Sequence, residues 1–215
     1  MLKLLRGKKS GLLVKILDAG ERLPVHCHPD RAFARAHLGS VFGKTEGWII
    51  MQAVRGARVW LGMREEIERA ELRRLIDSAD ITGMLDAMNE IPVAADDVVY
   101  VPAGLPHAIG PGVMLTELQE PTSFSVLADY TAFGMDDEAA TLGLGWDLAV
   151  ECFDLGGYRD RLEQLMPQPR LLLDGPAGQI LDVFPVGSEQ FFRALMVSTT
   201  RSTVTSIIYH HLDDY

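Results

Sequence analysis

Two histidines, His26 and His28, stand at i and i+2 in the stretch Leu23-Pro24-Val25-His26-Cys27-His28-Pro29-Asp30. Side chains alternate across a strand, so both imidazoles point to one face and Cys27 to the other. Two neutral imidazoles converging on one point make half of a metal site. Glu46, at the start of an apolar run, and His107, after the loop Pro102-Ala103-Gly104-Leu105-Pro106, are candidates for the other half. Such a nitrogen and carboxylate set suits Zn2+, Fe2+, Mn2+, Co2+ or Ni2+, and an open coordination position would take water or substrate.

Other residues suit proton transfer or substrate binding. Lys44 precedes Glu46 by two positions. On a strand it shares that face, where it can stabilise developing negative charge or shuttle a proton. Glu117 lies among apolar residues on an expected strand, and an inward carboxylate needs a partner or a purpose. Gln119 shares its face and can hold a hydroxyl. Arg31 and Arg35, four apart on a short helix, could offer local positive charge to a phosphate. Trp48 and Tyr100 read as core residues.

The elements that must position these groups are mostly short strands with Gly/Pro turns, which predicts a β-sandwich or barrel. Gly11–Asp18 reads as a strand, followed by the turn Asp18-Ala19-Gly20-Glu21 and the histidine strand. Asp30 is a helix N-cap for 31–38, which Gly39 ends. Residues 46–53 and 57–61, joined through Arg55-Gly56, read as a β-hairpin. Helices are expected over 65–77 and 81–88, inserted into the β-scaffold, and strands over 91–93, 98–101, 113–118 and 124–127. Beyond Asp129, two helical stretches (146–153 and 158–165) lead through Pro167-Gln168-Pro169 to β-rich stretches at 171–173, 180–184, 191–198 and 203–209. The adjacent pair His210-His211 would face opposite sides of a strand and reads as solvated.

The chain has 215 residues, 47% of them hydrophobic, enough for a real core, and a formal charge of −10. A chain so negative is a poor general partner for nucleic acid or anionic membrane. No stretch approaches a membrane span and no signal peptide is visible, so a cytoplasmic location is expected, with Cys27 and Cys152 as free thiols.

The motifs are more specific than the ligands alone. Gly20 followed by His26-x-His28 resembles the first cupin motif, and Pro102-x-Gly104-x-x-His107 the second. His28-Pro29-Asp30, Phe42-Gly43-Lys44-Thr45-Glu46-Gly47-Trp48, Val101-Pro102-Ala103-Gly104 with His107-Ala108-Ile109, and Glu117-Leu118-Gln119 together resemble the ordered motifs of type I mannose-6-phosphate isomerases. The similarity covers about residues 12–127, and more weakly the remainder.

The resemblance implies a mainly β cupin (jelly-roll barrel) with a small helical insertion and a partial second β-rich unit. The expected division is a metal-binding cupin domain over 1–135, with its insertion at about 65–88, and a helical linker with a partial second cupin-like unit over 136–215. It implies one Zn2+ per chain held by His26, His28, Glu46 and His107, with Fe2+, Mn2+, Co2+ or Ni2+ as other candidates. Lys44 and Glu117 would be catalytic, and Gln119 and Arg31 would bind substrate. The implied reaction interconverts mannose 6-phosphate and fructose 6-phosphate, or a related sugar, through an enediol. The partner would be a small sugar or sugar phosphate, with no nucleic acid or membrane, and a homodimer is a possible assembly.

Three departures from the family stand out. His26 replaces its usual Gln, Pro24 replaces a Ser implicated in phosphate binding, and 122–130 lacks the Arg found downstream of Glu117. The family also has a portion preceding this chain's start, which reads as a fragment or a reduced relative. Two other readings are an Fe- or Mn-dependent oxidative cupin and an inactive sugar-binding cupin.

Overall fold

The computed structural model describes residues 11–199 and the backbone of 203–206. The end of the expected strand at 207–209 and the pair His210-His211 lie outside the described residues. In chain order the first strands and helices are β1 (Leu13–Ala19), β2 (His26–Cys27), α1 (Arg31–His37), β3 (Glu46–Ala53), β4 (Arg58–Met63), α2 (Arg69–Asp77) and α3 (Ile81–Asp86). Then come β5 (Met88–Pro92), β6 (Val98–Val101), β7 (His107–Ile109), β8 (Val113–Gln119), β9 (Val126–Leu127), α4 (Asp137–Ala140) and α5 (Trp146–Ala149). The remaining strands are β10 (Arg170–Gly175), β11 (Gly178–Asp182), β12 (Leu195–Thr199) and β13 (Thr203–Ser206).

Two antiparallel sheets form the barrel, in strand orders β1-β8-β3-β6 and β5-β4-β7-β2-β9. This corrects one local expectation. β3 and β4 flank the turn at Arg55-Gly56 but are not a hairpin: β3 pairs with β6 and β8, β4 with β5 and β7. The turn carries the chain from one sheet to the other, because both strands bury a face against the shared interior. Two further expectations shift. The expected helix over 146–153 is one α-turn and a 3-10 turn, and that over 158–165 is a kinked 3-10 stretch.

Period-2 alternation sorts the strand residues into three apolar clusters. Trp48, Ile50, Val59, Leu61, Val99, Val101, Ile109 and Leu115 fill the barrel interior. The outer face of the β2-containing sheet, including Cys27, Trp60 and Ala108, packs on Leu72, Leu75 and Met84 of α2 and α3 and on Trp146 and Ala149 of α5. The outer face of the β3-containing sheet, with Ile49, Val98 and Leu118, packs on Val183, Phe184, Phe192 and Ala194. Cys27 is therefore a packing residue, and Cys27 and Cys152 are both buried free thiols. Strands β10–β13 form their own four-stranded sheet.

Gly47 shows how tightly this last layer fits. A Cβ there would lie 2.5 Å from the Phe184 ring and 2.8 Å from Phe192. Overpacking of this kind costs about 1–3 kcal/mol. Gly47→Ala is expected to lower stability by that amount in denaturant unfolding, because two aromatic rings must move together.

Candidate metal centre

The histidine and carboxylate side chains meet at one end of the barrel interior. His26 and His107 are cross-strand partners on neighbouring β2 and β7, so they share a face by register, with ring centroids 4.1 Å apart. His28 follows β2, and its backbone carbonyl accepts from the Gly104 N–H at 2.7 Å. Glu46 opens β3 on the facing sheet, beside Gln119 of β8. Upstream, the Asp129 carboxylate accepts from the Val25 N–H at 2.7 Å and lies 2.7 Å from Arg22, which pins the residue before His26.

Each imidazole is oriented by the backbone. His26 Nδ1 lies 2.7 Å from Pro24 O, His28 Nδ1 2.7 Å from Phe124 O, and His107 Nδ1 2.8 Å from Leu105 O. A carbonyl only accepts, so each Nδ1 carries the proton and each Nε2 presents a lone pair. The ligand atoms of the three histidines lie within 4.8 Å of one another. Glu46 Oε1 stands 3.1 Å from His28 Nε2 and 2.8 Å from Lys44 Nζ, and Glu46 Oε2 stands 3.8 Å from His107 Nε2. Trp48 Nε1–H donates to Glu46 Oε2 at 3.1 Å and sets the carboxylate's rotation.

This set fits a divalent metal ion. His107 Nε2 is a buried acceptor without a hydrogen bond among the described residues, and Glu46 Oε1 is met by the Lys44 ammonium at 2.8 Å. Acceptors brought together in a dry interior repel unless a cation lies among them. Lys44 supplies one positive charge, with Nζ 3.1 Å from His28 Nε2. Orienting imidazoles through Nδ1 is also how metal-binding histidines are usually held.

Burial, with neighbouring positive groups, drives the imidazoles toward their neutral form: His28 and His107 each fall to about 3, and His26 falls well below its usual range. Burial alone would raise Glu46, but His28 and the Lys44 ammonium outweigh it and hold the carboxyl well below its ordinary value. The sign for metal-free protein follows. Groups whose folded values are depressed bind fewer protons folded than unfolded, so stability is present above the unfolded values and is lost as pH falls through the window. For the histidines that window runs from 6.5 down to about 3. The thermal midpoint of metal-free protein is expected to fall steadily between about pH 6.5 and pH 4, and bound metal should resist that fall.

Glu117 of β8 pairs in register with Lys15 of β1 on one side and Trp48 of β3 on the other. Its carboxyl is raised by burial first and by the nearby Glu46 charge second, while Lys44 and Lys15 oppose the rise. Gln119 is fully buried and committed: Oε1 accepts from Lys15 at 2.5 Å, and Nε2 donates to the carbonyls of Glu120 and Thr122. Arg31 does not join the imidazole cluster. Its Nε donates to Glu120 Oε1 at 2.6 Å, it donates to Gln190 O, and it stacks on Phe191. Glu120 in turn accepts from the Thr45 N–H at 3.0 Å, between Lys44 and Glu46.

Sequence reasoning missed Lys15, whose ammonium reaches Glu117 Oε1 at 3.1 Å. Its signal was present: it stands two residues from Leu17 and so shares that residue's face, which packs against the barrel interior. It also missed Trp48 as a partner of Glu46, because a tryptophan in an apolar run reads as core, which it also is.

The fold is a cupin, and its interior centre brings together three imidazoles able to hold a metal ion, with one carboxylate beside them. No family model matches the chain. It is 38% identical over 145 residues to the mannose-6-phosphate isomerase of Streptococcus mutans, covering 67% of this chain and 44% of that protein. A mannose-6-phosphate isomerase of Bacillus subtilis is 34% identical over 116 residues, 54% of this chain and 36% of that one. The chain thus spans less than half the length of these curated relatives. Among solved structures, the mannose 6-phosphate isomerase of Bacillus subtilis superposes with a TM-score of 0.67 at 22% identity, over 88% of this chain and 56% of that one. A variant of the Salmonella typhimurium phosphomannose isomerase gives 0.58 at 13% identity, over 87% of this chain and 63% of that one.

The chain is a relative of the mannose-6-phosphate isomerases, as its motifs indicate, and its fold is their cupin fold. That family is metal-dependent, and His26, His28 and His107 form a group able to hold a metal ion. No helix among the described residues is long and apolar enough to cross a membrane.

Proposed function

We propose that the chain carries the catalytic centre of a metal-dependent aldose–ketose isomerase acting on mannose 6-phosphate or a related sugar, in the cytoplasm. The observation that carries this reading is the grouping of three histidine ligand atoms within 4.8 Å, each ring fixed by an Nδ1–H bond to a carbonyl, with the Glu46 carboxylate beside His28 and His107. Its relatives bear the name of that activity.

His26, His28, Glu46 and His107 would hold one Zn2+. The ion, when bound, supplies positive charge that polarises the sugar carbonyl and stabilises charge on the sugar oxygens. Glu117, whose carboxyl is raised by burial, takes the proton from one carbon and returns it to the next as a general base. Lys44, beside Glu46, offsets negative charge as it develops on the sugar. Gln119 holds the 119–122 turn and orients Lys15 rather than meeting a hydroxyl directly, and Arg31 holds Glu120. We also propose that residues 1–135 form the metal-binding domain and 136–215 the linker and a partial second unit.

Elemental analysis of protein purified without added metal, paired with isomerase assays, tests this reading. The expected result is about one zinc per chain with turnover, as for a site with one open position. Bound iron with oxygen consumption and no isomerisation would favour the oxidative cupin. A folded protein that takes up no metal when supplied would sink the proposal.

A further inference from the structure

We propose that Glu120 is a positioning residue for the metal centre: it clamps the backbone of Thr45 so that Lys44 and Glu46 keep their geometry, and Arg31 acts on the centre through it. The inference rests on Glu46 as a metal ligand and not on turnover. Side chains alternate along the stretch that enters β3, so Lys44 and Glu46 share the interior face and Thr45 takes the other. The 2.8 Å contact between Lys44 and Glu46 therefore depends on the backbone conformation of Thr45 between them.

Glu120 holds both backbone polar groups of that residue. Its Oε2 accepts from the Thr45 N–H at 3.0 Å, and its own N–H donates to the Thr45 carbonyl at 3.2 Å. Thr45 precedes β3, so a side chain does here what a neighbouring strand does further along. The approach to Thr45 is held as well. The Lys44 N–H donates to Pro29 O at 3.0 Å, next to His28, and Thr122 Oγ1 donates to Gly43 O at 2.7 Å. The chain runs so close at this point that a Cβ on Gly43 would lie 2.6 Å from Pro29 O.

Glu120 is 0% exposed, and a buried carboxylate is costly unless it is paired and hydrogen-bonded. Arg31 Nε donates to Glu120 Oε1 at 2.6 Å. That bond offsets the cost and fixes the rotation of the carboxylate, which aims Oε2 at Thr45. Arg31 is held in turn from its far side: it donates to Gln190 O at 3.0 Å and lies 4.7 Å from the centre of the Phe191 ring. Gln190 and Phe191 stand between β11 and β12. A chain of contacts thus runs from the β10–β13 unit through Arg31 and Glu120 to the strand that carries Glu46. An apolar residue at position 120 would avoid burying a charge but would take this acceptor away from the Thr45 N–H.

A double-mutant cycle on the full-length chain tests the proposal. It is read by calorimetric titration with Zn2+ and by the visible spectrum of Co2+-loaded protein, which reports coordination geometry. Glu120→Ala is expected to lower zinc affinity by at least about tenfold, as loss of a group that orients a metal ligand does, and to change the Co2+ spectrum. Adding Arg31→Met to Glu120→Ala should cost no further affinity, because Arg31 acts through Glu120, whereas independent roles would add. Glu120→Gln keeps the volume, but its single acceptor oxygen cannot serve both donors, so its affinity should fall between those of wild type and Glu120→Ala. Wild-type affinity and spectrum in Glu120→Ala and Glu120→Gln, or additive losses in the double variant, would overturn the inference. This pattern of zinc binding in a chain that turns over no sugar would uphold it and remove the isomerase reading instead.

Discussion

His107→Ala is expected to abolish stoichiometric metal binding and, with it, turnover. His107 is the cross-strand neighbour of His26, and its Nε2 is a buried acceptor with no hydrogen bond among the described residues. Removing it opens the centre and leaves the Glu46 carboxylate facing two imidazoles. Partners that merely orient a ligand are worth about 10–100-fold in metal affinity, so loss of a ligand itself should cost more than about 100-fold. Elemental analysis after dialysis and calorimetric titration with Zn2+ measure this directly. Truncation also leaves a void against Trp48, so His107→Gln serves as a second variant that keeps the volume and an oxygen donor. It should fold normally and recover part of the affinity. Unchanged zinc stoichiometry and affinity in both would show that His107 is a packing residue.

Glu117→Gln is expected to do the opposite: to keep the metal and lose the chemistry. The carboxyl sits on β8 between Trp48 and Lys15, one strand from Glu46, and none of its contacts holds an imidazole. The amide preserves its shape and can still accept from Lys15, but it cannot take a proton from carbon. Removal of a general base costs roughly 10²–10⁴-fold in kcat. Single-turnover assays and metal analysis on the same preparation separate the two effects. The low-pH limb of kcat, which reports protonation of the base, should disappear in the residual activity. A variant retaining most of its kcat would move proton transfer away from Glu117.

Together these two variants divide the centre into groups that hold charge in place and a group that moves a proton. The division follows from hydrogen bonding. His26, His28 and His107 are each locked by a carbonyl at Nδ1, so they are prepared to donate lone pairs rather than to exchange protons. Glu117 has one partner with substantial solvent exposure, Lys15, and a carboxyl raised by burial.

The sequence by itself determined the parts that depend on local period and chain chemistry. Alternation put His26 and His28 on one face and sent Cys27 to the helix-facing core. Asp30 caps α1 by accepting from the Phe33 N–H at 2.7 Å, as its type and position indicate. The spacing of Lys44 and Glu46 placed their side chains within 2.8 Å of each other. Only the tertiary structure decided what depends on which strands become neighbours. A turn at Arg55-Gly56 has the same local chemistry whether it closes a hairpin or crosses between sheets, and the need to bury both faces of the barrel chose the crossing. The same pairing brought Lys15 beside Glu117 across 102 positions of chain, and Arg31 to Glu120 across 89. Charge pairs that distant leave no periodic trace, because their energy depends on distance in the folded barrel and not on separation along the chain.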